Sequence, residues 1–207
     1  MDRHQWDERY ASTELLWSAE PNRFVVEELA GLPPGRALDL GTGEGRNAVW
    51  LASRGWQVTA VDFSAVALAK AAKLAERNGV TVAWAQADLL TYRPASSAYD
   101  LVLIAYIHLT PADMAVVLAA ASGALAPGGT LLVIGHDVDN VAHGYGGPQD
   151  PGILHHADTI VAALPGLVIH RAGQARRPVQ TADGERVAID TLVRAQARQG
   201  AQEGTRP

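Results

Sequence analysis

The sequence contains no cysteine, and this absence removes two kinds of protein from consideration. Neither a disulfide framework nor a thiolate metal site can be built without that residue. Charged residues make up only 19% of the 207 residues and hydrophobic residues make up 48%, a balance that excludes global disorder and allows a packed core. The length is typical of one domain. We therefore expect a single folded domain without covalent cross-links.

An excess of positive charge and long apolar runs are also lacking. The formal net charge is −5, whereas a nucleic-acid partner usually requires a basic face. No apolar run reaches the roughly 20 residues of a membrane span, and the polar first residues lack the apolar core of a signal peptide. The composition predicts a cytoplasmic monomer or homodimer that binds neither nucleic acid nor membrane.

What the sequence does have is a glycine-rich turn between a short apolar run and a helical segment. Residues 37–40 predict a buried strand, and Gly41-Thr-Gly-Glu-Gly45 follows it directly. Glycines leave the backbone accessible, so a ligand can lie against this turn. Asp62 ends the next predicted strand, 62 − 39 = 23 residues after Asp39, which places a second acid where a ribose would lie. The pattern predicts a nucleoside-like cofactor at the carboxyl edge of a parallel sheet.

The spacing of the glycines bears on which cofactor this is. A dinucleotide fingerprint has the form G-x-G-x-x-G and places a pyrophosphate on the helix N-terminus. Here Gly41, Gly43 and Gly45 give G-x-G-x-G, and Glu44 adds a negative charge within the turn. A carboxylate in that place repels a pyrophosphate and suits a cofactor that carries an ammonium and a sulfonium. The spacing favours a cofactor without phosphates.

At these residues the chain resembles the class I S-adenosylmethionine-dependent methyltransferases. Their first motif is an acidic residue, an apolar residue and G-x-G-x-G, which Asp39 to Gly45 match. The acids Asp62 and Asp88, each after a later predicted strand, strengthen the resemblance, which covers residues 15 to 195. It implies S-adenosylmethionine as the cofactor.

Within that class the chain is most similar to the small tellurite-resistance and thiopurine methyltransferases. The similarity rests on Gly45-Arg-Asn47 after the turn, on the short length, and on the ending from Asp183 to Arg194. Tellurite-type members carry a His-Arg pair before the closing turn. This sequence has Arg176-Arg-Pro178 there, so it departs from the tellurite pattern at that point.

Predicted strands and helices alternate along most of the chain, which is typical of an α/β doubly wound fold. The last two predicted strands, Val168–Arg176 and Glu185–Arg194, flank Asp183-Gly184, a strong hairpin signal. The resemblance implies a Rossmann-like, mostly parallel seven-stranded sheet that ends in this antiparallel hairpin. We expect one domain over residues 1–197, with residues 1–21 as an arm or lid and 198–207 as a disordered tail. The glycine-rich loop Asp137–Gly152 is expected to close over the substrate.

The resemblance also implies roles for individual residues around the cofactor. Asp39 orders the glycine turn or meets the amino group of the cofactor through water. Asp62 accepts hydrogen bonds from the ribose hydroxyls, and Asp88 accepts one from the adenine amino group. Arg46 pairs with the methionine carboxylate, which its planar guanidinium fits. The implied cofactor-binding set is Trp17, Asp39, Gly41, Thr42, Gly43, Arg46, Asn47, Asp62, Phe63, Asp88, Leu89 and Ala105.

Less specific interpretations remain open for several of these residues. Arg46 and Asn47 also suit a solvated first helical turn. Asp62 also suits an ordinary carboxylate at a strand end. Trp17 also suits simple core packing rather than a lid over the cofactor.

Methyl transfer is an in-line displacement at an already activated methyl carbon, so the protein mainly aligns the reactants and excludes water. A hydroxyl or protonated amine acceptor needs a base, whereas a soft anion does not. Candidate bases lie after the fourth and fifth predicted strands, beside the cofactor, although each also suits a role in the pocket wall. No metal site is predicted, because the histidines lack metal-ligand spacing. The candidates are Tyr106, His108, His136 and Asp137.

One missing motif bears on the acceptor. Methyltransferases that act on the amino groups of bases or of glutamine carry Asn/Asp-Pro-Pro-aromatic after the fourth strand, where this sequence has Ile104-Ala-Tyr-Ile107. Together with the acidic charge, this favours a small-molecule acceptor. The alternatives are a non-catalytic S-adenosylmethionine-binding module and a nucleotide-dependent oxidoreductase.

Overall fold

The computed structural model describes residues 2–16 and 18–200. The prediction that Trp17 forms part of a lid, and most of the predicted tail, lie outside the described residues. Among the described residues no helix combines the length and the apolar character that crossing a membrane requires.

The described strands form one seven-stranded sheet with the order β3-β2-β1-β4-β5-β7-β6. The first five pair in parallel, whereas β7 is antiparallel to β5 and β6 is antiparallel to β7. The predicted α/β, Rossmann-like doubly wound sheet with a C-terminal hairpin is thereby confirmed. The strands are β1 (Arg36–Leu40), β2 (Gln57–Asp62), β3 (Ala83–Gln86), β4 (Tyr99–Ala105), β5 (Leu125–His136), β6 (Val168–Thr181) and β7 (Gly184–Gln196).

Short polar side chains begin most of the helices. Asn22 accepts hydrogen bonds from the backbone N–H groups of Phe24 and Val25, and Ser64 accepts one from that of Ala67. These bonds satisfy the first amides, which have no partner within a helix. The helices are α1 (Arg3–Ala11), α2 (Arg23–Leu29), α3 (Arg46–Ser53), α4 (Ala65–Arg77), α5 (Pro111–Ala124), α6 (Asn140–His143) and α7 (Ala157–Ala162), and a 3-10 turn spans Pro151–Ile153.

The core lies on both faces of the sheet. In β4, Leu101 and Leu103 pack into the layer that contains α2 and α3, whereas Val102 and Ile104 pack into the layer that contains α5. Side chains of a strand alternate between the two faces, so a strand covered on both faces is apolar throughout. This arrangement leaves the ends of the parallel strands as the place where polar side chains can meet a ligand.

Two regions differ from the sequence-based prediction. The N-terminal arm contains helix α1, which the sequence did not indicate because Tyr10 is its one fully buried side chain. The loop after β5 contains α6 and a 3-10 turn, and its end is tied to β5 by a bridge between Asp137 and His155. The arm and the loop are therefore folded segments that lie beside the carboxyl ends of the parallel strands.

Candidate cofactor and acceptor site

The glycine turn after β1 is held against the end of β2. The backbone N–H groups of Gly41 and Thr42 donate to the carbonyl of Val61 at 2.8 and 3.0 Å. Gly41 has φ of 75° and Gly43 has φ of 55°, a left-handed conformation that other residues rarely adopt. A Cβ on Gly41 would lie 2.0 Å from Cδ1 of Ile107. The turn therefore requires glycine both for its backbone and for the space above it.

Asp62, at the end of β2, is linked directly to this turn. One carboxylate oxygen accepts from the N–H of Gly43 at 2.8 Å, and the other accepts from that of Ser64 at 2.9 Å. Burial raises the pKa of Asp62, while these backbone donors counteract the rise. A carboxylate can accept about four hydrogen bonds, so these backbone donors leave room for a ligand hydroxyl. The Asp62 carboxylate therefore differs from an ordinary strand-end carboxylate in that it is bonded to the glycine turn.

Asp39 lies on the neighbouring strand and is more deeply buried. Its side chain accepts a hydrogen bond from the Thr42 hydroxyl at 2.7 Å. Burial raises its pKa to about 7, and the nearby Asp62 contributes to the rise. The acid that orders the turn is therefore poised to change its charge near neutral pH, which makes it sensitive to a cationic ligand group.

Arg46 and Asn47, the first residues of α3, have different environments. Burial and the nearby Arg177 guanidinium lower the pKa of Arg46, and no hydrogen-bond or ion-pair partner for it exists within residues 2–16 and 18–200. Asn47 is buried, and its carbonyl oxygen accepts from the backbone N–H of Asn22 at 2.9 Å. The solvated interpretation is thus wrong for Asn47, whose side chain connects α3 to the start of α2.

Glu44 does not face the ligand side of the turn. Its carboxylate is buried, accepts from the backbone N–H of Leu16, and pairs with Nζ of Lys70 at 3.1 Å. The argument that its charge repels a pyrophosphate is therefore wrong, because a lysine 26 residues away compensates that charge. Lys70 also donates to the carbonyl of Thr13 at 2.6 Å, so Glu44 and Lys70 together hold the N-terminal arm.

The arm covers part of the glycine turn. The position that a Cβ on Gly43 would take lies 3.0 Å from the Tyr10 hydroxyl oxygen. The Asp7 carboxylate accepts a hydrogen bond from the Ser64 hydroxyl at the start of α4. These contacts place α1 beside the turn and beside Asp62.

The residues predicted to hold an adenine lie at the ends of β2, β3 and β4. Phe63 is half-buried, and its carbonyl accepts from the Gln86 side chain at 3.2 Å. Asp88 is exposed, and its carboxylate accepts from the backbone N–H of Leu90 at 2.9 Å. Leu89 packs against the core cluster that contains β4, and Ala105 ends β4. The topology therefore brings these residues to one edge.

Tyr106 follows Ala105 and begins a second cluster. Its φ is 59°, an uncommon conformation for a residue other than glycine and one that often accompanies functional sites. Its hydroxyl donates to Asp190 at 2.8 Å and accepts from the Asn22 side chain at 3.1 Å. Burial and the Asp190 charge raise the pKa of Tyr106. Tyr106 is thus a neutral phenol with both of its hydrogen-bonding roles filled.

His108 stacks on His136, with ring centroids 5.3 Å apart. Its Nε2 accepts from the backbone N–H of His136 at 3.1 Å. Burial, together with the neighbouring imidazoles, lowers the pKa of His108 to about 3. His155 also stacks on the His108 ring, with centroids 5.4 Å apart, and burial lowers the pKa of His155 to about 4. Both imidazoles are neutral at physiological pH, and His108 has no free nitrogen with which to serve as a base.

His136, the last residue of β5, differs from these two histidines. Its Nδ1 lies 3.1 Å from Asp190, and its side chain is 13% exposed. No described residue forms a hydrogen bond with its Nε2. Gly147 of the glycine-rich loop lies over the ring, because a Cβ there would be 2.7–2.8 Å from three of its atoms. Asn140 fixes this loop, since it donates to the carbonyl of Gly146 at 2.8 Å and accepts from the N–H of Ile189 at 2.7 Å.

Asp137 was also a candidate base, and the structure places it in a different role. Its carboxylate is buried and accepts from the Thr191 hydroxyl at 2.5 Å, the Gln174 amide at 3.0 Å and the backbone N–H of Asp139 at 3.0 Å. A carboxylate with these donors connects the loop to β6 and β7.

The sequence analysis missed Asp190 and Arg177, which complete this cluster. Asp190 is 0% exposed, lies directly opposite His136 in the antiparallel pairing of β5 with β7, and accepts from Nε of Arg177 at 2.9 Å. Burial alone would raise the pKa of Asp190, but His136, Arg177 and Tyr106 together hold it below its ordinary value. One sequence signal was available, because Asp190 interrupts an apolar strand.

The fold and these residues together define a Rossmann-like domain with a glycine turn and two acids at the strand ends, beside a polar cluster around His136. The family described as "Methyltransferase domain" matches residues 37–129. Demethylmenaquinone methyltransferase from Thermus thermophilus is 39% identical over 123 residues, which cover 58% of this chain and 54% of that protein. Ribosomal RNA small subunit methyltransferase C from Alcanivorax borkumensis is 39% identical over 70 residues, which cover 34% of this chain and 21% of that protein. The chain thus spans about half the length of the first relative and about a fifth of the second.

Solved structures show the same fold over nearly the whole chain. TehB from Haemophilus influenzae gives a TM-score of 0.71 at 17% identity, covering 95% of this chain and 67% of that one. The N-methyltransferase NodS from Bradyrhizobium japonicum, in complex with S-adenosyl-L-homocysteine, gives a TM-score of 0.70 at 22% identity. The match covers 95% of this chain and 99% of that one. Residues 37–129 thus form a methyltransferase domain, which supports the predicted class and its cofactor, S-adenosylmethionine. The matched domain agrees with the predicted class, and the likeness to TehB shows a shared fold.

Proposed function

We propose that this chain transfers a methyl group from S-adenosylmethionine to a small-molecule acceptor. The observation that carries the proposal is the junction at the end of β4. Ala105 lies on the side of the glycine turn, and the next residue, Tyr106, begins the polar cluster around His136. A cofactor held by the turn and an acceptor held by the cluster would therefore meet at this point.

The side chains around the turn suit the chemical groups of the cofactor. The Asp62 carboxylate suits the ribose hydroxyls, and the guanidinium of Arg46, which has no partner among the described residues, suits the methionine carboxylate. Asp39, whose pKa is raised to about 7, gains its charge most readily beside an ammonium group. The bound cofactor supplies a methyl group on a positively charged sulfur. The residues of the chain contribute alignment and the exclusion of water.

Enclosure of the second cluster favours a small acceptor. The loop that contains Gly147 covers His136, and Asn140 fixes that loop to β7. A structured RNA would need an open and basic approach, whereas the formal net charge is −5. One relative is named for a demethylated menaquinone and another for ribosomal RNA, so the names alone leave the acceptor open, and the enclosure is what favours the small molecule.

The same proposal includes the organisation of the chain. Residues 1–197 would act as one domain, in which the arm closes over the cofactor through the contacts of Lys70 with Thr13 and Glu44. A cytoplasmic location, and a monomer or homodimer without a nucleic-acid or membrane partner, follow from the composition and belong to this proposal.

Binding of S-adenosylhomocysteine to an Asp62→Ala variant tests the cofactor site. We expect at least about tenfold weaker binding by calorimetry, because the variant loses charged acceptors for the ribose hydroxyls. Asp113→Ala is the matched control, since this partly exposed acid lies in the first turn of α5 and should leave the affinity unchanged. Equal affinities for the wild type and Asp62→Ala would contradict the proposed cofactor position.

Methyl transfer itself is tested with methyl-labelled S-adenosylmethionine and a panel of phenols, carboxylates, thiols, halides and metalloid oxyanions. Label in a single class of acceptor would identify the substrate class. Tight binding of S-adenosylhomocysteine without transfer to any acceptor would support a non-catalytic binding module instead. Preferential binding of a reduced nicotinamide dinucleotide would support the oxidoreductase alternative.

A further inference from the structure

The two oxygens of the buried Asp190 carboxylate have different partners. One oxygen accepts from the Tyr106 hydroxyl at 2.8 Å and from Nε of Arg177 at 2.9 Å. The other accepts no hydrogen bond from any described residue, and Nδ1 of His136 faces it at 3.1 Å. Asp190 is therefore fixed on one side by two donors and directed at His136 on the other.

This contact determines the hydrogen positions of the His136 ring. The donors around Asp190 keep its pKa low, so the carboxylate is ionised at neutral pH. An ionised carboxylate is an acceptor only, so Nδ1 of His136 carries the hydrogen and Nε2 is the unprotonated nitrogen. The contact at 3.1 Å falls short of a hydrogen bond, and such contacts commonly tighten when a substrate binds.

The groups that face His136 from the other elements do not compete with it for a proton. Tyr106 already donates its hydrogen to Asp190, and Nε2 of His108 is used by the backbone of His136. Burial lowers the pKa of His155 to about 4. Arg177 is a cation. A proton released by an acceptor in this pocket would therefore pass to Nε2 of His136.

The charges of the pocket also distinguish among acceptors that carry a proton. Arg177 lies 5.9 Å from the centroid of the Tyr106 ring, and it lowers the pKa of Arg46 across the site. The Arg177 guanidinium repels an ammonium and stabilises the negative charge that develops on an oxygen as it loses a proton. The pocket therefore suits a hydroxyl better than an amine.

We propose that Asp190 is a positioning residue that holds His136 as the general base, and that the acceptor is a hydroxyl compound, with phenols as the first class to test. This inference rests on the proposed methyltransferase function. The acceptor hydroxyl gives its proton to Nε2 of His136, and its oxygen forms the new bond to the methyl carbon. The electron pair of the carbon–sulfur bond stays on sulfur, which leaves a methyl ether, S-adenosylhomocysteine and a protonated His136 beside the Asp190 carboxylate.

The tautomer of His136 tests the positioning role without any turnover. Nitrogen-15 NMR of labelled imidazoles at pH 7 should show hydrogen on Nδ1 and none on Nε2 in the wild type. In Asp190→Asn, Tyr106 and Arg177 still need an acceptor, so we expect the amide oxygen to face these two donors. The NH₂ group then faces Nδ1 of His136. The variant should therefore carry its hydrogen on Nε2. An unchanged tautomer in Asp190→Asn would overturn the positioning role.

Kinetics with a hydroxyl acceptor test the base. Asp190→Asn and His136→Gln should each lower kcat by about 100-fold or more, the usual contribution of a general base, while KM and the affinity for S-adenosylhomocysteine stay close to wild type. The matched control is Glu28→Gln, because Glu28 pairs with Arg171 and Arg194 of the same hairpin but does not face His136.

The outcomes separate this inference from the proposed function. Failure of the wild type to bind S-adenosylhomocysteine would refute the function, whereas the tautomer result stands independently of it. Transfer to iodide or another soft anion with full rates in His136→Gln would keep the function and refute the hydroxyl acceptor. Equal losses in Glu28→Gln and Asp190→Asn would reduce Asp190 to a general structural role.

Discussion

Each half of the site contains a fully buried carboxylate, and the two have opposite properties. Asp39, in what we propose as the cofactor half, is 1% exposed, and Asp190, in what we propose as the acceptor half, is 0% exposed. Burial raises the pKa of Asp39 to about 7, whereas the pKa of Asp190 is held below its ordinary value despite its burial. Asp39 has one hydroxyl donor and an acid nearby, while Asp190 has a guanidinium, a phenol and an imidazole. The donors around a buried carboxylate, rather than its depth, decide its charge.

The two halves therefore differ in where the charge partners of their buried groups come from. In one half a ligand would supply them, and in the other half the protein supplies them itself. In the cofactor half, Asp39 is incompletely stabilised and Arg46 has no partner among the described residues. A ligand with an ammonium and a carboxylate would satisfy both. In the acceptor half, Asp190 already has its cations and donors in place before any substrate arrives, as preorganised catalytic groups do. The cofactor is therefore expected to alter the electrostatics of its site more than the acceptor does.

Removal of the Asp190 carboxylate should have the largest effect on stability. Asp190→Ala leaves the half-buried Arg177 and the Tyr106 hydroxyl without their acceptor, and breaking such a buried pair costs about 3–5 kcal/mol. Because the pKa of Asp190 is lowered in the folded protein, its stabilisation is present above the pKa of an ordinary aspartate. It is lost as the pH falls through the folded value. Urea unfolding at pH 7 measures the loss, and a change below about 1 kcal/mol would contradict the ionised network.

The opposite sign is expected for Asp39. Its pKa rises from 3.8 to about 7 on folding, so its contribution to stability is fully present below pH 4 and is lost as the pH rises through 7. Asp39→Asn keeps an acceptor for Thr42 and removes the charge. At pH 8 the variant should be more stable than the wild type by about 2–4 kcal/mol, since each unit of pKa shift corresponds to about 1.4 kcal/mol. The two proteins should be nearly equal at pH 4, and a parallel pH dependence for both would contradict the raised pKa.

The sequence predicted the cofactor half better than the acceptor half because the cofactor half is local. The glycine turn, Asp39 and Asp62 lie on consecutive strands, and the strand–turn–helix pattern brings them to one edge of the sheet. Asn47 and Glu44 are the exceptions. Their partners, Asn22 and Lys70, are 25 and 26 residues away in sequence, and no local pattern reveals such pairs.

The acceptor half depends on an antiparallel register that a single sequence does not determine. The hairpin was predicted, but the pairing that places Asp190 opposite His136, and Arg177 beside both, follows from the packing of β7 on β5. His136 was therefore predicted only from its place at a strand end. The contact with Asp190, which distinguishes His136 from His108, was not predicted. Asp137 was predicted for the same reason, and its bonds to Thr191 and Gln174 come from that same pairing.

Two adjacent glycines allow the acceptor half to be perturbed alone, with the smallest expected effect. Gly147 has φ of 75° and Gly146 has φ of 73°, so alanine at either position strains the backbone by about 1 kcal/mol. A Cβ on Gly147 would lie 2.7 Å from the His136 ring, whereas a Cβ on Gly146 would meet nothing within 4 Å. We expect both variants to lose stability on thermal unfolding, Gly147→Ala the more because of its clash, and Gly147→Ala alone to lower turnover, by about tenfold (1.4 kcal/mol). Binding of S-adenosylhomocysteine should be unchanged in both variants, because neither glycine lies in the cofactor half. Equal turnover in the two variants would mean that the loop does not position His136. The position of the His136 ring would then depend on Asp190 alone.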